Sequence, residues 1–336
     1  MKVVHVIPKN VIGGVEVAAN TMLDEEVQEF DFSVLFISKE GGLTNPITHL
    51  RLLKKLVKIK PDVVVSSLWW TSFVCIMYKI LYRKSRLILF LHNQKRAHFL
   101  DYLLTKITAA FADSVFCDSA ATKSASLEFI NKKTVKVISF LHRKFSPSGD
   151  IKAYDSPVFI FWGRLSFAKG LDLSLYFFQS VLSQYPSAIF YIYGPDFGEL
   201  KKLKALSESL GLSDNVHWKG QVDNSDIAEI ASQANFFLLL SRHEGMAMAV
   251  VEAMQCGLIP IVTPVGEIPN YCYDLNNSII HDDEVALLSK FNKVFSDKNK
   301  RYLVSLNARS KWDFYNLYRD DFISSIMQLS LKNESQ

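Results

Sequence analysis

Short runs of β-branched and aromatic residues alternate with stretches of helical hydrophobic periodicity along the whole chain. Helical stretches between such runs are typical of βαβ units and parallel sheets, so the pattern predicts an α/β protein. Twelve runs predict strands, at 2–7, 32–37, 62–67, 86–92, 114–117, 135–139, 158–162, 188–193, 216–218, 235–240, 259–263 and 278–281.

This alternation of strand and helix patterns is interrupted once, between about 145 and 157, where Pro, Gly and Ser are concentrated. We therefore predict a first domain over 1–148 and a second over 155–308. Each is expected to be Rossmann-like, with ligands bound at the carboxyl ends of the strands in a central cleft between the domains. A helical apolar stripe over 311–331 predicts a C-terminal helix that returns to the first domain.

The composition is that of a folded intracellular protein. Hydrophobic residues make up 49% of the 336 and charged residues 21%, which excludes global disorder. The four cysteines have no metal-ligand or redox spacing, which favours free thiols in a reducing compartment. The apolar run 63–82 indicates a strand followed by a buried helix, and the N-terminus resembles no secretory signal. We expect a cytoplasmic protein.

Positive charge is concentrated in residues 50–110, where twelve Lys and Arg face two acids, a balance of +10. The stretch 50–59 has an apolar stripe of leucines and valine flanked by Lys54, Lys55 and Lys58. Such a helix is either a surface for an anionic membrane, with the protein peripheral at its inner face, or a solvated helix face. A nucleic-acid partner is not expected, because no binding motif accompanies the charge.

Two candidate ligand contacts follow predicted strands of the first domain. Gly13 and Gly14 precede a helix whose first amides could donate to phosphate or hydroxyl groups, although the pair also fits a simple tight turn. His92 closes the strand at 86–92 and is either structural or in contact with a substrate.

A stronger candidate follows the first strand of the second domain. Gly163 and Arg164 come directly after this strand, with Lys169 and Gly170 close behind. Two cations beside glycines at the mouth of a βα loop suit a diphosphate, since Arg grips two oxygens and Lys is a mobile point charge. The alternative is a pair of solvated surface charges.

Two glutamates mark the loop and helix after the strand at 235–240. Glu244 ends the loop, and Glu252 lies among apolar residues of the predicted helix 246–256. A carboxylate there needs a partner, which is either a vicinal diol or a buried salt bridge. The backbone amides from Gly245 to Met248 are expected at the helix start, where they could hold sugar hydroxyls.

Taken in order, these blocks resemble glycosyltransferase family 4. Glu244 and Glu252 match its E-x7-E motif, and the glycine and cation blocks at 13–16, 163–170 and 252–257 match in register. The resemblance is strong over 158–281 and thinner before. It implies a GT-B fold, a nucleotide-diphosphate sugar as donor substrate, no cofactor or metal, and retention at the anomeric carbon. The sequence contains no Asp-x-Asp motif and no His/Cys cluster.

The resemblance also implies roles for individual residues. Glu252 would hold the ribose diol, Arg164 and Lys169 the diphosphate, and His92 the sugar from the first domain. Glu244 would engage the donor sugar. The remaining donor-binding residues would be Gly13, Gly14, Gly163, Gly194, Gly245, Met246, Ala247 and Met248. The implied acceptor is a glycan or a lipid-linked glycan in bacterial-type surface polysaccharide or glycolipid assembly.

The sequence departs from the family in three ways. Residues 140–143 replace a common Asn-Gly-Val-Asp block, Ala247 stands where proline is frequent, and the chain is short. At a helix start the alanine is expected to cost little. Two other functions remain open: a GT-B nucleotide-sugar epimerase, and a non-catalytic homologue that binds a nucleotide sugar.

Overall fold

The computed structural model describes residues 1–9, 14–23, 26–92, 97–127, 130, 135–145 and 155–331. The chain divides into two compact units, one formed by Met1–Arg143 with Asn316–Gln336 and the other by Lys144–Tyr315. Most of the predicted boundary at 145–157 falls on residues 146–154, which lie outside the described residues.

Within the described residues, the first unit holds a sheet of six parallel strands in the order β2-β1-β3-β4-β5-β6. The strands are β1 (Lys2–Ile7), β2 (Asp31–Phe36), β3 (Val63–Ser67), β4 (Arg86–Leu91), β5 (Ser114–Cys117) and β6 (Val135–Val137). The helices are α1 (Gly14–Thr21), α2 (Pro46–Ile59), α3 (Ser72–Leu81), α4 (Phe99–Phe111), α5 (Ala120–Ser126) and, from the end of the chain, α12 (Tyr318–Leu331).

The second unit has a parallel sheet in the order β12-β11-β10-β7-β8-β9. Its strands are β7 (Val158–Trp162), β8 (Ile189–Tyr193), β9 (Val216–Gly220), β10 (Phe236–Leu239), β11 (Ile259–Val262) and β12 (Ile279–Ile280). Its helices are α6 (Leu171–Leu182), α7 (Leu200–Ser209), α8 (Ile227–Ala231), α9 (Met248–Gln255), α10 (Glu284–Phe295) and α11 (Lys298–Ser310). The strand order reverses between β7 and β10, and such a reversal opens a crevice at the carboxyl edge of the sheet.

The predicted α/β fold with two Rossmann-like sheets is confirmed. All twelve predicted strands occur in the part of the chain that the structure describes, with ends shifted by at most two residues. The apolar run 63–82 forms β3 and α3, and every residue of β3, β7 and β10 is buried, as expected for strands covered on both faces. All four cysteines are free thiols.

Most of the apolar stripe of α2 faces the protein core, whereas Leu50 is exposed. Leu52 and Leu56 are fully buried in the hydrophobic core of the first unit, and Leu53 and Val57 pack against it. A crossover helix must cover its sheet, and α2 uses its stripe for this purpose. Among the described residues, no helix has the length and apolar content needed to cross a membrane.

The C-terminal helix is shorter than predicted, since α12 begins at Tyr318 and not at 311. The residues between α11 and α12 pass from one unit to the other. Trp312 donates to the Met254 sulfur at 3.5 Å in the second unit, whereas the Tyr318 amide donates to the Leu141 carbonyl at 2.7 Å in the first. Arg319 then donates to three backbone carbonyls between Thr21 and Glu26, so α12 packs on the first unit.

Candidate functional site

The candidate site of the second unit lies at the carboxyl ends of β7, β8 and β10, which are neighbours in the sheet. Gly163 follows β7 and Gly194 follows β8. Glu244 lies in the loop that connects β10 to α9. The strand order therefore brings three of the predicted blocks to one edge of one sheet, where ligands bind in folds of this kind.

Glycines allow the loops at this edge to pack closely. A Cβ on Gly194 would lie 1.7 Å from the carbonyl oxygen of Gly163, and one on Gly170 would lie 2.0 Å from that of Leu240. Gly163 and Gly194 also have φ values of +145° and +146°, which side-chain-bearing residues rarely adopt. These positions accept glycine alone, and the predicted role in donor binding remains a prediction.

The predicted anion-binding Lys169 forms an ion pair with the predicted sugar-binding Glu244. The ammonium lies 2.8 and 3.0 Å from the two carboxylate oxygens, and the Ser241 hydroxyl donates to the same carboxylate at 2.6 Å. Both charged side chains are largely buried. This pairing links the loop after β7 to the loop after β10.

A second ion pair, which the sequence analysis missed, joins the loop after β10 to the first turn of α6. Arg242 donates from both terminal nitrogens to Asp172, at 2.8 and 2.6 Å, and its guanidinium lies over the Phe167 ring. These hydrogen bonds from Arg242 lower the pKa of Asp172, with partial burial opposing them. The only sequence signal was an Arg two residues after the predicted apolar strand 235–240, since the partners are 70 residues apart.

Arg164 has a different environment from Lys169. Its side chain is exposed and its guanidinium lies 5.4 Å from the centre of the Phe197 ring. A guanidinium over an aromatic face is held in position while its N–H groups, which point outward in its own plane, remain available to acceptors. Among the described residues, Arg164 has no ion pair with a carboxylate.

Glu252 is half-buried in α9 and has an aromatic partner. The indole Nε1 of Trp162, the last residue of β7, donates to Glu252 Oε2 at 2.9 Å. This hydrogen bond fixes the carboxylate at the end of the central strand. A sequence signal existed, because Trp162 precedes the glycine and cation block directly.

The loop before α9 has a strained backbone, and its helix starts later than predicted. The helix begins at Met248 rather than 246, because Ala247 has a φ of +55° in the left-handed region. This φ shows that the expectation of a helical conformation at Ala247 was wrong. A proline, whose ring holds φ at about −65°, could not adopt the same conformation. Two hydrogen bonds stabilise this loop. The Glu267 amide donates to the Gly245 carbonyl at 2.9 Å, and the Tyr271 hydroxyl donates to the Met246 carbonyl at 2.8 Å.

His92 lies inside the first unit, directly after β4. Its Nε2 is 2.9 Å from the Ser67 hydroxyl, which is also 2.7 Å from Nε2 of His5, and Asp118 lies 3.8 Å from its Nδ1. The side chain is only 4% exposed. Burial lowers the pKa of His5 to about 3, so this ring is neutral. The predicted contact between His92 and a sugar stays a prediction.

The glycine pair of the first unit is described only in part. Gly13 lies outside the described residues. Gly14 is the first residue of α1, and a Cβ at this position would lie 3.3 Å from the Phe140 ring. Phe140 belongs to the segment 140–143 that departs from the family. In the same segment, both ring nitrogens of His142 are shielded from water, and burial lowers its pKa to about 4.

Several solved structures resemble this chain over its whole length. The Anabaena protein HepE, solved with UDP and glucose, has a TM-score of 0.77 at 19% identity, with 100% of both chains covered. Sucrose-phosphate synthase from Thermosynechococcus elongatus has a TM-score of 0.79 at 15% identity, again with 100% of both covered. At these identities the likeness concerns the fold, which is GT-B.

The family follows from the second unit. Residues 145–311 match the model of the family described as glycosyl transferases group 1. The chain belongs to this family, and the resemblance found in the sequence is confirmed.

Curated relatives match shorter segments. A GDP-mannose:cellobiosyl-diphosphopolyprenol alpha-mannosyltransferase from Xanthomonas campestris is 38% identical over 108 residues, 32% of this chain and 28% of the relative. The phosphatidylinositol N-acetylglucosaminyltransferase gpi3 subunit of Schizosaccharomyces pombe is 26% identical over 198 residues, 58% of this chain and 43% of the relative. The matched segments thus span less than half of these relatives' own length.

Proposed function

We propose that this protein is a retaining glycosyltransferase that moves a sugar from a nucleotide-diphosphate sugar to a glycan or lipid-linked acceptor. The observation that supports this most is the pairing of Lys169 with Glu244 at the carboxyl edge of the second sheet, inside the segment that matches the family. The X. campestris relative, whose name includes a diphosphopolyprenol-linked acceptor, supports a role in surface polysaccharide or glycolipid assembly.

The diphosphate is bound by Arg164 and Lys169 in this proposal. An ammonium group has three donors, and Glu244 accepts from Lys169 through two oxygens. The third donor remains for a phosphate oxygen, and the exposed fork of Arg164 supplies a bidentate contact. Both cations then stabilise the negative charge that develops on the departing diphosphate.

The nucleoside and the sugar are bound by the two glutamates. Glu252, oriented by Trp162, accepts hydrogen bonds from the ribose diol. Glu244 and the backbone amides from Gly245 to Met248 hold the sugar hydroxyls. The close packing of Gly163 and Gly194 keeps side chains away from the donor. Gly13 and Gly14 allow the donor to approach the backbone of the first unit.

His92 contacts the donor sugar from the first unit in this proposal. Because its Nε2 already has a hydrogen bond to Ser67, the ring must share or exchange that bond when the sugar arrives. The reaction needs no metal or cofactor, so we expect full activity in EDTA. We also propose a cytoplasmic location with peripheral attachment to the inner face of the membrane, through the basic segment 50–110.

The test is incubation of the full chain with a panel of UDP, GDP and ADP sugars, with release of nucleoside diphosphate as the readout. A transferase releases nucleoside diphosphate faster when its acceptor is present. Polyprenol-linked glycans and free oligosaccharides serve as two acceptor arms. Epimerisation of the sugar without an acceptor, or binding without turnover of any donor, would reject the proposal.

A further inference from the structure

The helix α4 turns its apolar side chains outward. Phe99, Leu103, Ile107 and Phe111 recur at every fourth position and form one stripe, with exposed fractions of 77, 39, 37 and 43%. The opposite side of the helix faces the core with Asp101, Thr105 and Thr108, all of them buried. A helix that covers a sheet ordinarily has the reverse arrangement.

Hydrogen bonds stabilise this inverted orientation. Asp101 accepts from the Ala97 amide at 2.8 Å, and the Thr105 hydroxyl donates to the same carboxylate at 3.2 Å. The Thr108 hydroxyl donates to the Leu104 carbonyl at 2.7 Å. The buried polar groups therefore have partners, and these hydrogen bonds offset the cost of removing the groups from water.

The neighbouring helices extend the apolar surface. The helix α3 packs between α2 and α4 and exposes Phe73, Ile80 and Leu81. A groove of about 460 Å³ between α2 and the end of α3 is lined mainly by apolar side chains, Leu50 among them. We call the exposed apolar side chains of these three helices the α2–α4 surface. Apolar surfaces that continue over several elements mark interaction sites.

Positive charge surrounds the α2–α4 surface. The cations are Arg51, Lys54 and Lys58 on α2, Arg83 and Lys84 after α3, and Lys106 on α4, while Lys55 of α2 is paired with Glu40. Residues 50–110 have a net charge of +10 after their two acids are counted. One of these acids, Asp101, is buried and adds no negative charge to the surface. A second copy of the chain would bring like charges together, whereas a surface with anionic groups over an apolar interior complements both features.

We propose that the α2–α4 surface docks on a lipid bilayer that contains anionic headgroups, with the stripe of α4 inserted at the level of the acyl chains. The cations of α2 then lie at the headgroups, while Leu52 and Leu56 stay in the core. This inference rests on the membrane attachment in the proposed function and transfers the inserting residues from α2 to α4. An amphipathic helix held this way lies in the plane of the interface.

The test is co-sedimentation of the full chain with vesicles of phosphatidylcholine, alone or mixed with phosphatidylglycerol. Wild type should bind the mixed vesicles. The variant Phe99→Ser/Leu103→Ser/Ile107→Ser should bind them at least about tenfold more weakly, because the inserted apolar area is lost. The matched control is Tyr302→Ser/Leu303→Ser/Leu306→Ser on α11, whose side chains are similarly exposed in the second unit. It should bind as wild type.

A second measurement does not depend on the stability of the triple variant. The emission of an environment-sensitive dye attached to the Leu103→Cys variant should shift to shorter wavelength with the mixed vesicles. It should remain unchanged with vesicles of phosphatidylcholine alone. Absence of this shift, or equal vesicle binding by wild type and the α4 variant, overturns the proposal. So does a wild-type dimer that ignores vesicles and becomes monomeric in the α4 variant.

The transferase activity is measured separately from docking. Release of nucleoside diphosphate without vesicles should be the same in wild type and the α4 variant. If wild type releases none with any donor but binds mixed vesicles, the proposed function fails and the docking surface stands. If wild type releases nucleoside diphosphate but does not bind the mixed vesicles, the docking proposal fails and the proposed function stands.

Discussion

The two units share a parallel α/β architecture but distribute their polar groups differently. In the second unit, charged side chains form ion pairs at one edge of the sheet, Lys169 with Glu244 between two loops and Arg242 with Asp172 between a loop and α6. In the first unit, neutral histidines lie in the interior and α4 turns its apolar side outward. The family match covers the second unit. We infer that the second unit carries the chemistry common to the family and the first unit carries what is particular to this chain.

The largest effect is expected at the cations of the second unit. Arg164→Ala and Lys169→Ala should each lower kcat by about 100-fold or more, with a smaller change in KM, since charge on the diphosphate grows as the glycosidic bond breaks. Steady-state kinetics with the active donor measure both constants. The control is Lys202→Ala, an exposed lysine of α7. An effect on KM alone would exclude the leaving-group role.

The first unit should be the more sensitive to acid. Burial lowers the pKa of His5 to about 3 and of His142 to about 4, below the ordinary 6.5. The unfolded chain therefore takes up protons that the folded unit does not, and stability falls as the pH drops from about 6.5 toward 4. The loss is about 1.4 kcal/mol per pH unit for each histidine.

Hydrogen exchange in peptides from β1 and β7 follows the two units separately between pH 7 and 5. The control variant His142→Phe removes one titrating group beside Phe140 and Tyr318, and should make the pH dependence of the first unit less steep. The same slope in wild type and variant would contradict the assignment to His142.

The strands and the position of the candidate site could be predicted from the sequence. The ion pairs within the site could not. Hydrophobic runs fix β-strands because strands covered on both faces need continuous apolar residues. The pairing of Lys169 with Glu244 joins residues 75 apart, and no periodicity encodes it. The orientation of α4 was equally hidden, because it depends on hydrogen bonds that satisfy Asp101 and Thr105 inside the protein.

A smaller effect is expected at the left-handed residue before α9. Ala247→Gly should stabilise the second unit by roughly 0.5–1 kcal/mol, because glycine adopts positive φ without steric cost. The matched control Ala249→Gly, inside α9, should destabilise it by about 1 kcal/mol. Urea unfolding at neutral pH measures both. Destabilisation by both substitutions would contradict the strained conformation of Ala247.

The most direct test of the central claim is calorimetric titration of Glu252→Gln with UDP and GDP, beside wild type and the exposed-surface control Glu208→Gln. Glutamine carries no charge and replaces one of the two accepting oxygens of the carboxylate with a donor, so it cannot accept charge-assisted hydrogen bonds from a diol. Loss of this interaction with the ribose should cost roughly 1.5–3 kcal/mol, a 10- to 150-fold weaker Kd for the nucleotide that wild type binds. The control should bind as wild type. Equal affinity of wild type and Glu252→Gln would contradict the placement of the nucleotide at this edge of the second sheet.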